Sequence, residues 1–129
     1  MVSLNKINFE NTYANELNAI CERCVPTSFK KSEILFKNYS LAEELGIDRS
    51  FLDSDECLRI FSGCIISESS LPIAQAYSGH QYGNFNPQMG DGRAILLGEI
   101  NKRDVQLKGS GQTPFSKRGD GKSALGPVL

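Results

Sequence analysis

The order of hydrophobic and polar positions divides the chain into a helix-forming first part and a strand-forming last part. Residues 9–17 (FENTYANEL) place Phe9, Tyr13 and Leu17 at four-residue spacing, which predicts a short helix with one apolar face. Ile20, Cys21, Cys24 and Val25 fit either a continuation of that helix or an extended segment, and Pro26-Thr27-Ser28 ends it. Residues 33–37 (EILFK) are strong in apolar content and weak in alternation, and predict a strand. Ser40-Leu-Ala-Glu43 has the form of a capping box, with Gly46 closing the helix as a C′ residue. Asp53-Ser-Asp-Glu56 repeats the device and opens a helix through Phe61 that Gly63 terminates. Pro72, tolerated in a first helical turn, predicts another short helix through Ala76.

After Tyr77 the pattern changes. Residues 78–92 (SGHQYGNFNPQMGDG) hold four glycines, two asparagines and a proline, and predict a structured loop. Arg93–Ile100 and Asp104–Lys108 predict two strands, joined by Asn101-Lys102-Arg103 in a hairpin. Within DVQLK, Val105 and Leu107 share one face while Gln106 and Lys108 share the other. Gly109–Lys122 predicts a second long polar loop, and Ser123 is placed to cap a helix starting SALGPVL.

Composition adds less than its distribution does. The 129 residues, 40% hydrophobic and 22% charged, fit one soluble domain and leave two cramped. A formal charge of −1 offers no global basic field for nucleic acid or an anionic membrane. The longest unbroken apolar runs are a few residues, such as Ala94–Leu97, too short to span a bilayer, and MVSLNK lacks the apolar core of a secretory signal. A cytoplasmic protein is the expectation. The distribution is uneven: residues 1–80 carry 7 basic and 11 acidic side chains, whereas residues 81–129 carry 7 and 4. Nine of the 12 glycines lie in that second stretch. Glycine lets backbone N–H groups approach an anion and Lys or Arg supplies charge, so residues 81–129 are where phosphate chemistry is expected.

The candidate motifs differ in specificity. Gly90-Asp-Gly92-Arg93 precedes one strand, and Lys108 ends the next, followed by Gly109-Ser-Gly111. A hairpin that folds a glycine loop over one face points such a lysine at phosphates beneath it, although a solvated lysine beside ordinary turn glycines fits the spacing equally well. Gly121-Lys122-Ser123 ends like a P-loop, but Ser116 stands where that motif requires glycine. No G-x-G-x-x-G follows a strand, Arg118-Gly-Asp120 is read as chance, and His80 lacks a nearby nucleophile and reads as structural. Cys21-Glu-Arg-Cys24 has no second pair at zinc spacing, and Cys57 and Cys64 stand seven apart. Reduced, partly buried thiols are the expectation.

The runs GHQ-x-GN, GDGRA, QLKG-x-G and TP-x-S-x-x-GDG occur here in order, within AYSGHQYGNFNPQMGDGRAILLGE and VQLKGSGQTPFSKRGDGKSAL. This set closely resembles the selenoprotein O (SelO/YdiU) family of protein adenylyltransferases, densely from residue 71 and more weakly before it, as in LAEELGID. The resemblance implies an α+β fold: an incomplete protein-kinase-like (pseudokinase) N-terminal lobe with a small, mostly antiparallel sheet and short helices. It implies a family-specific region over 1–77 and the nucleotide-binding part of the lobe over 78–129. It also implies ATP as cofactor, bound in an orientation flipped relative to ordinary kinases, and transfer of AMP to Ser, Thr or Tyr hydroxyls of protein substrates.

By the same resemblance, Gly90, Gly92 and Arg93 match the nucleotide-binding GDGR positions, Lys108 the phosphate-contacting lysine, and Asp120 and Gly121 the GDG of the following loop. Lys122 stands where many relatives have Arg, which keeps the charge and loses the bidentate geometry. The glutamate partner of Lys108, the catalytic-loop aspartate and the ligands for Mg2+ or Mn2+ are implied to lie outside residues 1–129. No catalytic or metal-ligating residue is therefore expected here, and neither is AMP transfer or more than slight stabilisation by ATP. A catalytically inactive fragment with vestigial ATP binding and a small non-enzymatic interaction domain are the alternative readings.

Overall fold

The computed structural model describes residues 7–81 and 83–122. Four short helices, α1 (Thr12–Glu16), α2 (Tyr39–Glu44), α3 (Arg49–Leu52) and α4 (Asp55–Phe61), accompany five strands. The strands are β1 (Cys21–Arg23), β2 (Ile73–Gln81), β3 (Asn84–Gly90), β4 (Ala94–Ile100) and β5 (Arg103–Lys108), all paired antiparallel. The order is β1-β2-β4-β5, with β3 also on β2. This is a small α+β fold.

The β4–β5 hairpin is the element the sequence pattern describes best. Its register pairs Ala94 with Lys108 and Ile100 with Arg103. Asn101 and Lys102 both adopt left-handed φ, 50° and 64°, the two-residue turn whose twist matches the strands it joins. Leu107 is buried while Gln106 and Lys108 are exposed, as the alternation requires. The turn costs Lys102 an unfavourable backbone; the hairpin ladder overrides it.

Four expectations are corrected, the first of them by long-range partners. The first helix is only Thr12–Glu16: Phe9 donates its N–H to Ser69 Oγ, Glu10 bridges Glu99, and the Asn11 side chain spans Ser69 O and Leu71 N. Those bonds hold residues 9–11 extended until the helix starts, and the ambiguous stretch after it becomes a 3-10 turn and then β1. Residues 33–37 form no strand; their backbone has no strand to pair with among the described residues, and Leu35 and Phe36 are 70% and 82% exposed. The cap of α2 is Asn38, whose side chain accepts from Leu41 N, rather than Ser40, which lies inside the helix. The cap of α4 is Ser54, accepting from Cys57 N, because the Asp53 carboxylate is taken by Lys37 Nζ and Tyr39 Oη. Gly46 and Gly63 close α2 and α4 as expected, at φ 74° and 79°.

The largest correction concerns residues 72–90. In place of a helix from Pro72 and a loop over 78–92, the chain runs as β2 and β3, with a register shift between Tyr77 and Gly79. Ile73 and Ala74, 1% and 0% exposed, are consecutive and both buried, so both faces of the strand are covered there. Pro72 precedes the strand, where no N–H is needed, and its carbonyl accepts from Cys24 N. Of the predicted loop, the described residues outside the strands are Gly83, in the turn between them, and the Asp91-Gly92 bend. The core gathers Ile7, Phe9, Phe51, Cys57, Ile60, Leu97, Ile100 and Leu107, packing α3 and α4 on one face of the β4–β5 hairpin. Ser123 lies outside the described residues, as does the His80 side chain.

Candidate functional site

Arg93 and Lys108 occupy the same end of the hairpin. Ala94 pairs with Lys108, and Gly109 N donates to Arg93 O at 2.7 Å, so the two cations stand at the open end of neighbouring strands. Both side chains are exposed. Gln106, on the Lys108 face by strand alternation, donates to Gln75 Oε1 at 2.9 Å and ties β5 to β2 on that face.

The loop after β5 folds back over the glycine bend. Thr113 Oγ1 donates to Asp91 O at 2.6 Å and accepts from Phe115 N; Ser116 Oγ donates to Gly92 O at 2.6 Å and accepts from Thr113 N. The Phe115 ring lies on Gly90 so closely that a Cβ there would overlap it, which is why only glycine fits. Burial raises the Asp91 carboxyl above its ordinary range. Thr113, Phe115 and Ser116 were not singled out as site residues from sequence. Their signal is the Thr-x-x-Ser spacing with proline, a pattern of side chains that bond nearby backbone.

The far limb of the loop is fixed separately. Gly111 N donates to Gly121 O at 3.2 Å, Ser110 and Lys122 form an isolated bridge, and Thr27 N donates to Ser110 O at 2.7 Å. One Asp120 carboxylate oxygen accepts from Lys122 N at 2.9 Å, closing the turn at Gly121. The six residues matched by resemblance therefore form two groups: Gly90, Gly92, Arg93 and Lys108 around the hairpin end, and Asp120 with Gly121 on the returning limb.

The amides of Asp91, Gly109, Gly111, Gly119 and Lys122 are all engaged within the protein. Charge for an anion at this end comes from side chains rather than from those N–H groups. Replacing Thr113 by Val keeps the shape and removes both hydroxyl bonds. It is expected to loosen the loop locally by about 1–3 kcal/mol, read as faster amide exchange at Phe115 and Ser116 with little change in the global melting temperature.

All four cysteines are free: Cys57 is buried, Cys21 and Cys24 partly buried, and Cys64 exposed rather than partly buried. Among the described residues no group of three or more His, Cys, Asp or Glu is placed to hold a metal ion. Nor is any described helix long and apolar enough to cross a membrane.

The family model described as protein adenylyltransferase SelO matches residues 3–127, and the chain belongs to that family. Among its relatives, the protein nucleotidyltransferase YdiU of Agrobacterium fabrum is 51% identical over 126 residues, covering 94% of this chain and 26% of the relative. The proteins of the same name from Rhodopseudomonas palustris and Chromobacterium violaceum are 52% and 57% identical, over 126 and 102 residues. The former alignment covers 94% of this chain and 26% of the relative, the latter 75% and 21%. The chain thus spans about a quarter of the length of the curated relatives it matches.

Proposed function

We propose that this chain forms part of the ATP site of a protein adenylyltransferase, on a kinase-like N-terminal lobe whose nucleotide-binding part begins near residue 78. The observation that carries the reading is the pairing of Ala94 with Lys108 and of Gly109 N with Arg93 O, which sets two exposed cations at one hairpin end beside the clamped Gly90–Gly92 bend. Negative charge on a ligand is favoured beside these cations, and a polyphosphate offers several charged oxygens for them to hold.

In the transfer itself a protein hydroxyl oxygen bonds to the α-phosphorus, the bond to the β-phosphate oxygen breaks, and the hydroxyl proton leaves to a base. Lys108 and Arg93 lower the cost of that step by holding charge against the departing pyrophosphate. Gly90 admits Phe115, which seats the returning loop on the glycine bend. Mg2+ or Mn2+ would offset phosphate charge in the assembled enzyme, but the described residues offer no ligand set for it, and no step here passes through one. Cytoplasmic location and protein substrates follow from the same reading.

Titration of the 15N-labelled chain with ATP tests it. Saturable shifts are expected at Asp91, Gly92, Arg93 and Lys108, and Lys108→Ala should weaken ATP by about tenfold. Lys102→Ala, the same charge change at the opposite end of the hairpin, is expected to leave affinity unchanged. Equal losses from both variants would reduce the effect to net charge and defeat the proposal.

A further inference from the structure

The two most exposed large hydrophobic side chains among the described residues are neighbours. Leu35 and Phe36 are 70% and 82% exposed, with Ile34 and Leu41 beside them at 37% and 40%. Residues 34–38 form one wall of an open groove of about 520 Å³, and Leu41, Leu45, Leu52 and Phe61 line the side that faces it. Lys37 Nζ and Tyr39 Oη both donate to Asp53 Oδ1, at 2.9 and 2.8 Å, and fix the end of that wall. Phe36 therefore stands on the rim of the groove without filling it. Apolar side chains gathered in this way mark a contact with protein rather than an ordinary wet surface.

One face thus carries both a projecting aromatic ring and a recess lined by leucines, the self-complementary arrangement that a two-fold pair requires. Charge fits the same arrangement. Residues 30–37 carry Lys30, Lys31 and Lys37 against Glu33, whereas α2 carries Glu43 and Glu44 and no basic residue. When Phe36 of one copy enters the groove of the other, its segment crosses the other copy's α2, and unlike charges meet around an apolar centre. Area decides the strength. Ile34, Leu35, Phe36 and Leu41 together expose on the order of 500 Å² per copy, so a pair covers about 1,000 Å², the low end for specific interfaces. Weak, reversible pairing follows, rather than an obligate dimer.

We propose that two copies of this chain associate through this face, each inserting Leu35 and Phe36 into the other's groove against Leu41, Leu45, Leu52 and Phe61. The dissociation constant falls on the order of 10–100 µM. Well below that concentration the chain is monomeric, and Phe36 then contributes nothing to folding stability. Neither Arg93 nor Lys108 lines the groove, so the pairing stands independently of the nucleotide reading.

Sedimentation velocity from about 5 to 500 µM tests it. Wild type is expected to pass from monomer to dimer across that range. Phe36→Asp, and separately Leu35→Asp, should stay monomeric, with the dissociation constant raised at least about tenfold. Both positions are exposed, so the variants should keep the wild-type melting temperature at low concentration. Val25→Asp places the same charge on a residue that is 62% exposed and outside the groove, and it should pair like wild type. In a mixed sample with one copy isotope-labelled, magnetisation transfer is expected between the Phe36 ring and the Leu41 or Leu45 methyls of the other copy. Wild type that stays monomeric throughout would overturn the proposal and leave the groove to a different protein. Association that survives both Phe36→Asp and Leu35→Asp, or that Val25→Asp abolishes equally, would overturn it as well.

Discussion

Gly121→Ala should undock the loop that follows β5. Gly121 has φ 72°, and a Cβ there would overlap the carbonyl of Gly111, a backbone group that cannot swing aside. The left-handed backbone and the overlap add, and together they cost about 2–4 kcal/mol. The same contact carries the Gly111 N to Gly121 O bond and stands next to the Ser110–Lys122 bridge, so those links should part together. Hydrogen exchange is expected to rise at Gly111, Thr113 and Ser116 while the β4–β5 ladder stays protected. Gly119→Ala is the matched comparison: its Cβ would meet only Ser116 O, at 3.2 Å, without a left-handed backbone. Protection unchanged in Gly121→Ala would show that the loop is held by Thr113 and Ser116 alone.

Phe51→Ala should remove much of the stability of the whole unit. Phe51 is 3% exposed and packs α3 into the cluster with Cys57, Ile60, Leu97 and Leu107. Emptying that space loses transfer free energy and leaves a cavity, about 3–5 kcal/mol against a total of roughly 5–15 kcal/mol for a domain. Phe36→Ala removes an equal side chain from a position that is 82% exposed, and is expected to fall within about 0.5 kcal/mol of wild type. Urea denaturation followed by circular dichroism reads both. A Phe36→Ala loss comparable with that of Phe51→Ala would mean that the Ile34–Phe36 segment is packed in solution.

The contrast between those two phenylalanines also marks what the sequence discloses. The β4–β5 hairpin was legible because alternation in β5, a short polar turn and strand length all agree within fifteen residues. Ile34-Leu35-Phe36 misled because apolar content without alternation says nothing about a pairing partner, and none exists among the described residues. β2 and β3 were hidden for the opposite reason. Gly, Asn and Pro resemble loop composition, while antiparallel pairing draws on backbone groups that every residue but proline supplies.

At the site, the order of glycines and cations was readable and their support was not. Arg93 and Lys108 sit at the same end of the hairpin because of its register, which local pattern can specify. Thr113 and Ser116 act on carbonyls 22 and 24 residues earlier, a relation that no local pattern contains.

The bonds from Glu10 to Glu99 and from Thr27 to Ser110 have a consequence for how the molecule is made. During synthesis the early segments emerge long before the residues they pair with. Ile7 and Phe9 belong to the core, yet they must wait, solvent-exposed, until β4 has left the ribosome. Closing loops of such length before any contact is gained makes folding slow for a chain of this size. The interval between those two events is when the nascent protein is most open to capture by other chains.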